Sequence, residues 1–371
     1  MDRPARQDRL TAGQGEQPST RPGAAIMRPR VTAPLRLRID TAALADNWRT
    51  LDRMSGSAAC GAAIKANGYG LGATDVARHL TAAGCRDLFV ATWDEAERLA
   101  PLRLPLSVLH GVREEDMPAA LSGIARPVLN TDQQVARWKA AGGGVCDVMV
   151  DTGMNRLGVS PEVVRAGLLD GLHIDTLMSH LACADEDSAM NEHQRALFAT
   201  LQGVTGARRM SLANSAGIAL GAGYAFDLTR PGLALYGGIP RAECAAVIRQ
   251  VVFPEAQVLQ RRTVRAGDTV GYNATWTAVR DTEVAIINLG YADGYFRGFS
   301  DRGSAEGGTL PVIGRVSMDL VALNVSAAPG MAEGDWVAID YALPEAAAAS
   351  GMSQYELLTM LGGRYGRPSI G

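Results

Sequence analysis

From about residue 36 to 250 the sequence alternates between two textures, and that alternation restricts the fold more than any other feature. Short apolar runs that read as buried strands fall at 62–64, 88–91, 107–109, 127–129, 147–150, 176–178, 210–213 and 228–233. Helical stretches separate them. Residues 73–83 set Val76, Ala77 and Leu80 on one face, and 131–141 open on a Thr-Asp cap and bury Val135 and Trp138. Residues 160–169 begin Ser-Pro-Glu, with proline at the first helical position, and 192–204 group Leu197, Phe198 and Leu201. Eight strand candidates alternating with helices over about 200 residues predict an α/β fold, a parallel (β/α)8 TIM-type barrel in preference to an open sheet.

After about residue 252 the texture changes. Strand-like runs at 257–259, 268–272, 283–289, 311–323 and 336–340 are punctuated by Ala-Gly-Asp, Asp-Gly-Tyr and Glu-Gly-Asp, which predicts a predominantly β C-terminal domain. A closing helix over 353–361 stops at Gly362-Gly363. Residues 1–34 are rich in Arg, Pro, Gly, Gln and Ser without apolar periodicity and read as a disordered leader, in which Met27 is an alternative start. The expected division is therefore a leader (1–34), a barrel (35–252) and a β domain (253–371).

Composition removes several function classes. A net charge of −3 gives no pull toward nucleic acid or an anionic membrane. No apolar stretch approaches the roughly 20 residues that span a bilayer. The five cysteines are odd in number, scattered and without a CxxC pair, which fits a reduced cytoplasmic chain and argues against a zinc site or a disulfide framework.

A barrel places its reactive side chains just after the strands. Here those positions read Lys65-Ala-Asn, Asp151-Thr-Gly-Met-Asn-Arg156, Ser179-His180, Asn214-Ser215 and Arg230-Pro-Gly232. Lys65 stands out. It ends the run Ala62-Ala63-Ile64, is followed by Gly68, Gly70 and Gly72, and is one of very few lysines in a chain that carries its positive charge as arginine. An ordinary surface lysine is the bland alternative. Unlike arginine, however, lysine can lose its proton and form a Schiff base, so Lys65 is a candidate covalent anchor.

Taken together, the motifs resemble those of the alanine racemases, two-domain enzymes dependent on pyridoxal phosphate (PLP). The resemblance rests on Ile64-Lys-Ala-Asn-Gly-Tyr-Gly70, Asp151-Thr-Gly-Met-Asn-Arg-Leu-Gly158, Ser179-His-Leu-Ala-Cys-Ala-Asp-Glu186, Ala213-Asn-Ser-Ala216, Arg230-Pro-Gly-Leu-Ala-Leu-Tyr-Gly237, Val270-Gly-Tyr-Asn-Ala-Thr-Trp276, Gly290-Tyr-Ala-Asp-Gly294 and Gly314-Arg-Val-Ser-Met-Asp319. It implies that Lys65 holds PLP. Its phosphate would meet Tyr69, Ser215 beside Asn214, and the amides of Gly232 and Leu233. Arg230 would face the pyridine nitrogen, oriented by His180. A permanently protonated arginine donates to that nitrogen without protonating it, which limits leakage into transamination. Lys65 would be the base on the D-side and Tyr272, from the other copy of a homodimer, the base on the L-side. Arg156 and the amide of Met318 would hold the substrate carboxylate, with Asp293 and Asp319 orienting neighbouring groups.

Three departures from the family pattern stand out. Met149 occupies a position where some members carry a carbamylated lysine that supports the substrate arginine. Leu71 replaces the usual histidine. A tyrosine near the family's C-terminus aligns with Gly363, two residues from Tyr365. These widen the expected substrates from alanine to serine or larger amino acids. The rival readings are a same-fold PLP amino-acid decarboxylase, a PLP-binding regulatory protein without turnover, and a phosphate-binding barrel without PLP.

Overall fold

Seven short parallel strands, buried on both faces as a sheet covered by helices requires, pair in chain order: Ala62–Ala63, Leu88–Val90, Leu106–Val108, Arg126–Leu129, Cys146–Met149, Ile174–Met178 and Arg209–Ser211. The computed structural model describes residues 33–366, so the expected leader, apart from Ala33 and Pro34, lies outside the described residues. An eighth strand, Leu228–Thr229, pairs with Ala59–Cys60 just ahead of the first. Backbone bonds from Asp227 N to Met210 O (3.0 Å) and Arg230 N to Ala213 O (2.8 Å) attach it on one side. Bonds from Gly61 N to Thr229 O (2.9 Å) and Ala63 N to Pro231 O (2.8 Å) attach it on the other, so the ring closes. The apolar run predicts an eighth strand as far as Leu233. The structure ends it at Thr229, because Pro231 has no N–H for a ladder, and Leu233–Tyr236 coils into a 3-10 turn.

Caps fix where several helices follow their strands. Thr92 Oγ1 accepts from Glu95 N, Thr131 Oγ1 from Gln134 N, Ser160 Oγ from Val163 N and Asn214 Oδ1 from Gly217 N. The helix expected over 160–169 is shorter, Pro161–Arg165. The one expected from residue 192 starts earlier, at Ala189, because Ser188 caps it. At the N-terminal ends of the strands, Arg126, Arg208 and Arg209 interleave with Asp87, Asp147 and Asp175; Arg209 Nη2 lies 2.7 Å from Asp87 and 2.6 Å from Asp175. This charged plug fills one end of the barrel and leaves the other for a site.

The C-terminal sheet is built on the 13-residue strand Val252–Val264. Its second half pairs antiparallel with Thr282–Ile287, which pairs in turn with Val321–Asn324, and its first half pairs with Trp336–Ala338. Leu35–Ile39 also pairs with that first half. The stretch from residue 35, expected as the start of the barrel, therefore contributes its first strand to this sheet. Tyr272, expected at the end of a strand, sits in the turn Tyr272–Ala274 of a small hairpin formed by Thr269–Val270 and Trp276–Thr277. Gly271 and Asn273, at φ 78° and 64°, take the chain out of extended geometry there. A helix that the sequence pattern does not predict, Leu343–Ser350, precedes the closing helix, Gln354–Thr359. The latter packs on the Lys65 motif so closely that a Cβ on Gly70 would stand 2.6 Å from Leu358 O.

Candidate active site

At the C-terminal ends of the barrel strands lies a cavity of about 590 Å³ whose lining includes Lys65, Tyr69, Met149, Arg156, His180, Asn214, Ser215, Arg230, Gly232, Leu233 and Tyr355. Nine of the eleven residues expected at the site thus meet in one place. The other two, Tyr272 and Met318, are 64% and 53% exposed and do not line the cavity.

The segment carrying Lys65 is not a simple strand end. Ala66, Asn67, Gly68 and Tyr69 have φ of 52°, 55°, 64° and 52°, a full left-handed turn closed by Gly68 N to Ile64 O (2.8 Å) and Gly70 N to Ala66 O (2.9 Å). Left-handed geometry costs a residue with a Cβ about 1–2 kcal/mol, and three of these four have one. Such strain persists where the surroundings over-determine it, typically at functional sites. Here Asn67 Oδ1 accepts from Ala73 N (3.0 Å), and Tyr69 stacks on Tyr236 with ring centroids 4.5 Å apart. Tyr236 is itself fixed by its hydroxyl donating to Ala63 O (2.9 Å). Burial, and then the positive charge of Arg156, push the Lys65 amine below its ordinary pKa, which favours a neutral amine that can act as nucleophile or base.

An anion cradle lies beside it. A Cβ on Gly232 would run into the Tyr69 hydroxyl and stand 3.0 Å from Tyr69 Cζ, so only glycine lets that hydroxyl approach the backbone. Ser215 Oγ accepts from Gly232 N (2.9 Å) and Ala234 N (3.2 Å), which leaves that hydroxyl's own proton free to donate, as the Tyr69 hydroxyl can beside it. These are the donors a phosphate requires.

Arg156 projects from a loop organised by Asp151, whose carboxylate accepts from the amides of Gly153 (2.8 Å), Asn155 (3.1 Å) and Arg156 (3.2 Å). Among the described residues its guanidinium has no ion pair, an open fork suited to a carboxylate. Met149 leaves no charge to brace it, since that side chain packs with Phe89, Val128, Met178 and Leu228.

Deeper in, Arg230 is buried, and burial lowers its pKa to about 10, so it remains a cation at neutral pH. Its Nη2 donates to Ser179 O (2.5 Å) and its Nη1 to Ser211 Oγ. His180 makes no such bond among the described residues, where Ser211 and Ser179 hold the guanidinium. Burial, reinforced by Arg230, lowers His180 to about 3, and the ring is neutral at physiological pH.

Tyr355 is the lining residue that sequence reasoning missed. Tyr365, two residues from the family position at Gly363, is buried away from the cavity, whereas Tyr355, on the closing helix, lies 6.4 Å from the Tyr69 ring. Leu71 is core. Asp293 accepts from Gly290 N and pairs with Arg364, which also binds Asp319, so both aspartates brace the loop bearing Met318.

Comparison with known proteins agrees with this arrangement. Residues 39–240 match the family model described as alanine racemase, N-terminal domain, and 251–368 the one described as alanine racemase, C-terminal domain. An alanine racemase of Acidiphilium cryptum is 42% identical over 350 residues, covering 89% of this chain and 97% of the relative. A catabolic alanine racemase of Agrobacterium fabrum is also 42% identical, over 90% of this chain and 92% of its own. The crystal structure of alanine racemase from Bartonella henselae with covalently bound pyridoxal phosphate superposes with a TM-score of 0.84 at 33% identity, over 91% of this chain and 99% of that one. With both domains matched in order and the lysine turn, anion cradle and arginine fork gathered in one cavity, the chain belongs to the alanine racemase family of isomerases.

Proposed function

We propose that the protein interconverts L-alanine and D-alanine with pyridoxal phosphate bound at Lys65, and that it works as a homodimer whose sites each take Tyr272 from the other subunit. One observation carries the reading: an amine of lowered pKa, a phosphate cradle and an unpaired arginine open into the same cavity. Pyridoxal phosphate, when bound, supplies an electron sink that acidifies the bond between the substrate's α-carbon and its hydrogen. Tyr69, Ser215 and the amides of Gly232 and Leu233, with Asn214 fixing the turn, would hold its phosphate. Arg230 would donate to its ring nitrogen while keeping its own proton.

Arg156 and the amide of Met318 from the partner subunit would grip the substrate carboxylate, so the α-carbon cannot turn over. Inversion then needs a base on each face. Lys65 takes or returns a proton on the D-side, and Tyr272 of the partner subunit does so on the L-side. The exposure of Tyr272 and Met318 on the single chain supports their use across an interface. The free thiols suit a reducing cytoplasm, where D-alanine would supply peptidoglycan.

Incubation with L-alanine tests the proposal. D-alanine is expected, and CO2 without D-alanine would replace racemisation by decarboxylation, a chemistry that Arg156 opposes by clamping the departing group. Because Met149 supplies no brace for Arg156, a racemisation panel that includes serine measures how far specificity extends.

A further inference from the structure

Besides Ala73 and Tyr236, a carboxylate holds the left-handed turn after Lys65 from outside. Glu95, in the first turn of the helix Trp93–Leu99, does not close its carboxylate on its own cap. One oxygen accepts from Ala91 N (2.7 Å), just past the second barrel strand, and the other from Asn67 N (3.3 Å), inside the turn. Glu95 thereby joins the ends of the first two barrel strands. Of the charges acting most on Lys65, Arg156 and Arg230 are positive and Glu95 is the negative one; His180, Tyr69, Tyr355, His110, Asp151 and Asp185 line the cavity. We propose that Glu95 is a positioning residue for Lys65, clamping the strained turn that aims the amine and supplying a counter-charge to it. This rests on Lys65 acting as cofactor anchor and base.

Both roles depend on the same carboxylate. A carboxylate accepts from both amides at once, whereas a glutamine would turn an NH2 group toward one of them and remove the charge. The effect on Lys65 has a fixed direction. Burial and Arg156 lower its pKa and Glu95 opposes them, so loss of the Glu95 charge lowers it further.

The chain has only two lysines, Lys65 and the exposed Lys139, which makes a direct test clean. Reductive methylation of the cofactor-free full chain with formaldehyde and cyanoborohydride, followed across pH by mass spectrometry, reports each amine separately. In Glu95→Gln the pH at which Lys65 becomes half-reactive should fall while that of Lys139 stays in place, and Glu95→Asp should return Lys65 toward the wild-type value. In the loaded enzyme Glu95→Gln should lower kcat by about 10- to 100-fold, the scale of a slightly misplaced catalytic group, with less change in KM. An unchanged Lys65 midpoint in Glu95→Gln, or an equal shift at Lys139, overturns the proposal. If the glutamine variant does not fold, the aspartate variant decides on rate: it keeps the charge but withdraws the carboxylate from Asn67, so kcat should fall, and an unchanged kcat would count against Glu95. Failure of wild-type Lys65 to take up the cofactor would instead refute the proposed function, and the amine titration would still report on Glu95.

Discussion

Gly232→Ala is a small change at a place where the fold has no room. The new Cβ would meet the Tyr69 hydroxyl and lie 3.0 Å from Cζ, inside the separation at which carbon atoms normally rest. Tyr69 cannot swing aside cheaply. Its ring is 5% exposed and stacked on Tyr236, whose hydroxyl is bound to Ala63, and its backbone sits in the left-handed turn. Overpacking of this kind costs about 1–3 kcal/mol of stability. If the hydroxyl retreats, a phosphate loses one charge-assisted hydrogen bond worth about 1.5–3 kcal/mol, or roughly 10- to 100-fold in affinity.

Titrating pyridoxal phosphate into the variant by absorbance measures the second effect, and thermal unfolding of the cofactor-free chain measures the first. The double variant Gly232→Ala, Tyr69→Phe removes the atom that clashes. It should be less destabilised than the sum of its single variants, because the two sites are in contact. Wild-type affinity in Gly232→Ala, together with additive stabilities, would show that Tyr69 and Gly232 do not share the phosphate site.

Lys65→Ala and Tyr272→Phe should each be inactive in racemisation, the first without and the second with covalently bound cofactor. Mixed and refolded together they should recover about a quarter of wild-type activity, since half of random dimers are mixed and each holds one intact site; no recovery would refute sharing across the interface. Arg156→Gln should lower kcat/KM for alanine by about 10- to 100-fold with the bound-cofactor spectrum unchanged, through loss of a charged hydrogen bond. At the barrel's other end, burial alone would raise the Asp175 carboxyl, but hydrogen bonds from Arg209 and Arg208 outweigh it and hold it at about 2. A depressed carboxyl stabilises the fold above its unfolded pKa and loses that contribution as pH falls from about 4 through about 2. Asp175→Asn should therefore flatten the loss of stability in that window by about 2 kcal/mol, read by chemical unfolding at stepped pH.

The parallel strands are legible because buried strands leave apolar runs and their helices leave caps, signals contained in a few neighbouring residues. The same locality explains what is not legible. Leu35–Ile39 finds its partner in Val252–Ala256, and nothing in either segment names the other. The 66–69 turn is hidden because Ala, Asn and Tyr prefer right-handed or extended geometry, and only packing against Ala73, Glu95 and Tyr236 holds them otherwise. Tyr355 reads as one more helical residue until the closing helix is laid on the barrel. Ser211 escapes notice because it lies within a strand, whereas the barrel rule points to residues just past the strand ends. His180 draws attention as a chemically versatile side chain, but its burial among Arg230, Arg156 and Lys65 strips it of charge.

The two ends of the barrel use the same kinds of side chain to opposite purpose. At the closed end three arginines face three aspartates, and the charges balance within the protein. At the open end Lys65, Arg156 and Arg230 share one cavity with a neutral histidine and the carboxyls of Asp151 and Asp185, yet no carboxylate pairs with either arginine's guanidinium there among the described residues. Gathering like charges at a partly buried site is unfavourable unless something else completes it. A dianionic phosphate and a substrate carboxylate would do so. The cations then divide the work between them. The lysine, whose proton is labile, would do the chemistry, while the arginines, which hold theirs, would bind and orient. The imbalance at this end is therefore what makes it a binding site, and filling it with ligand should stabilise the fold in proportion to affinity.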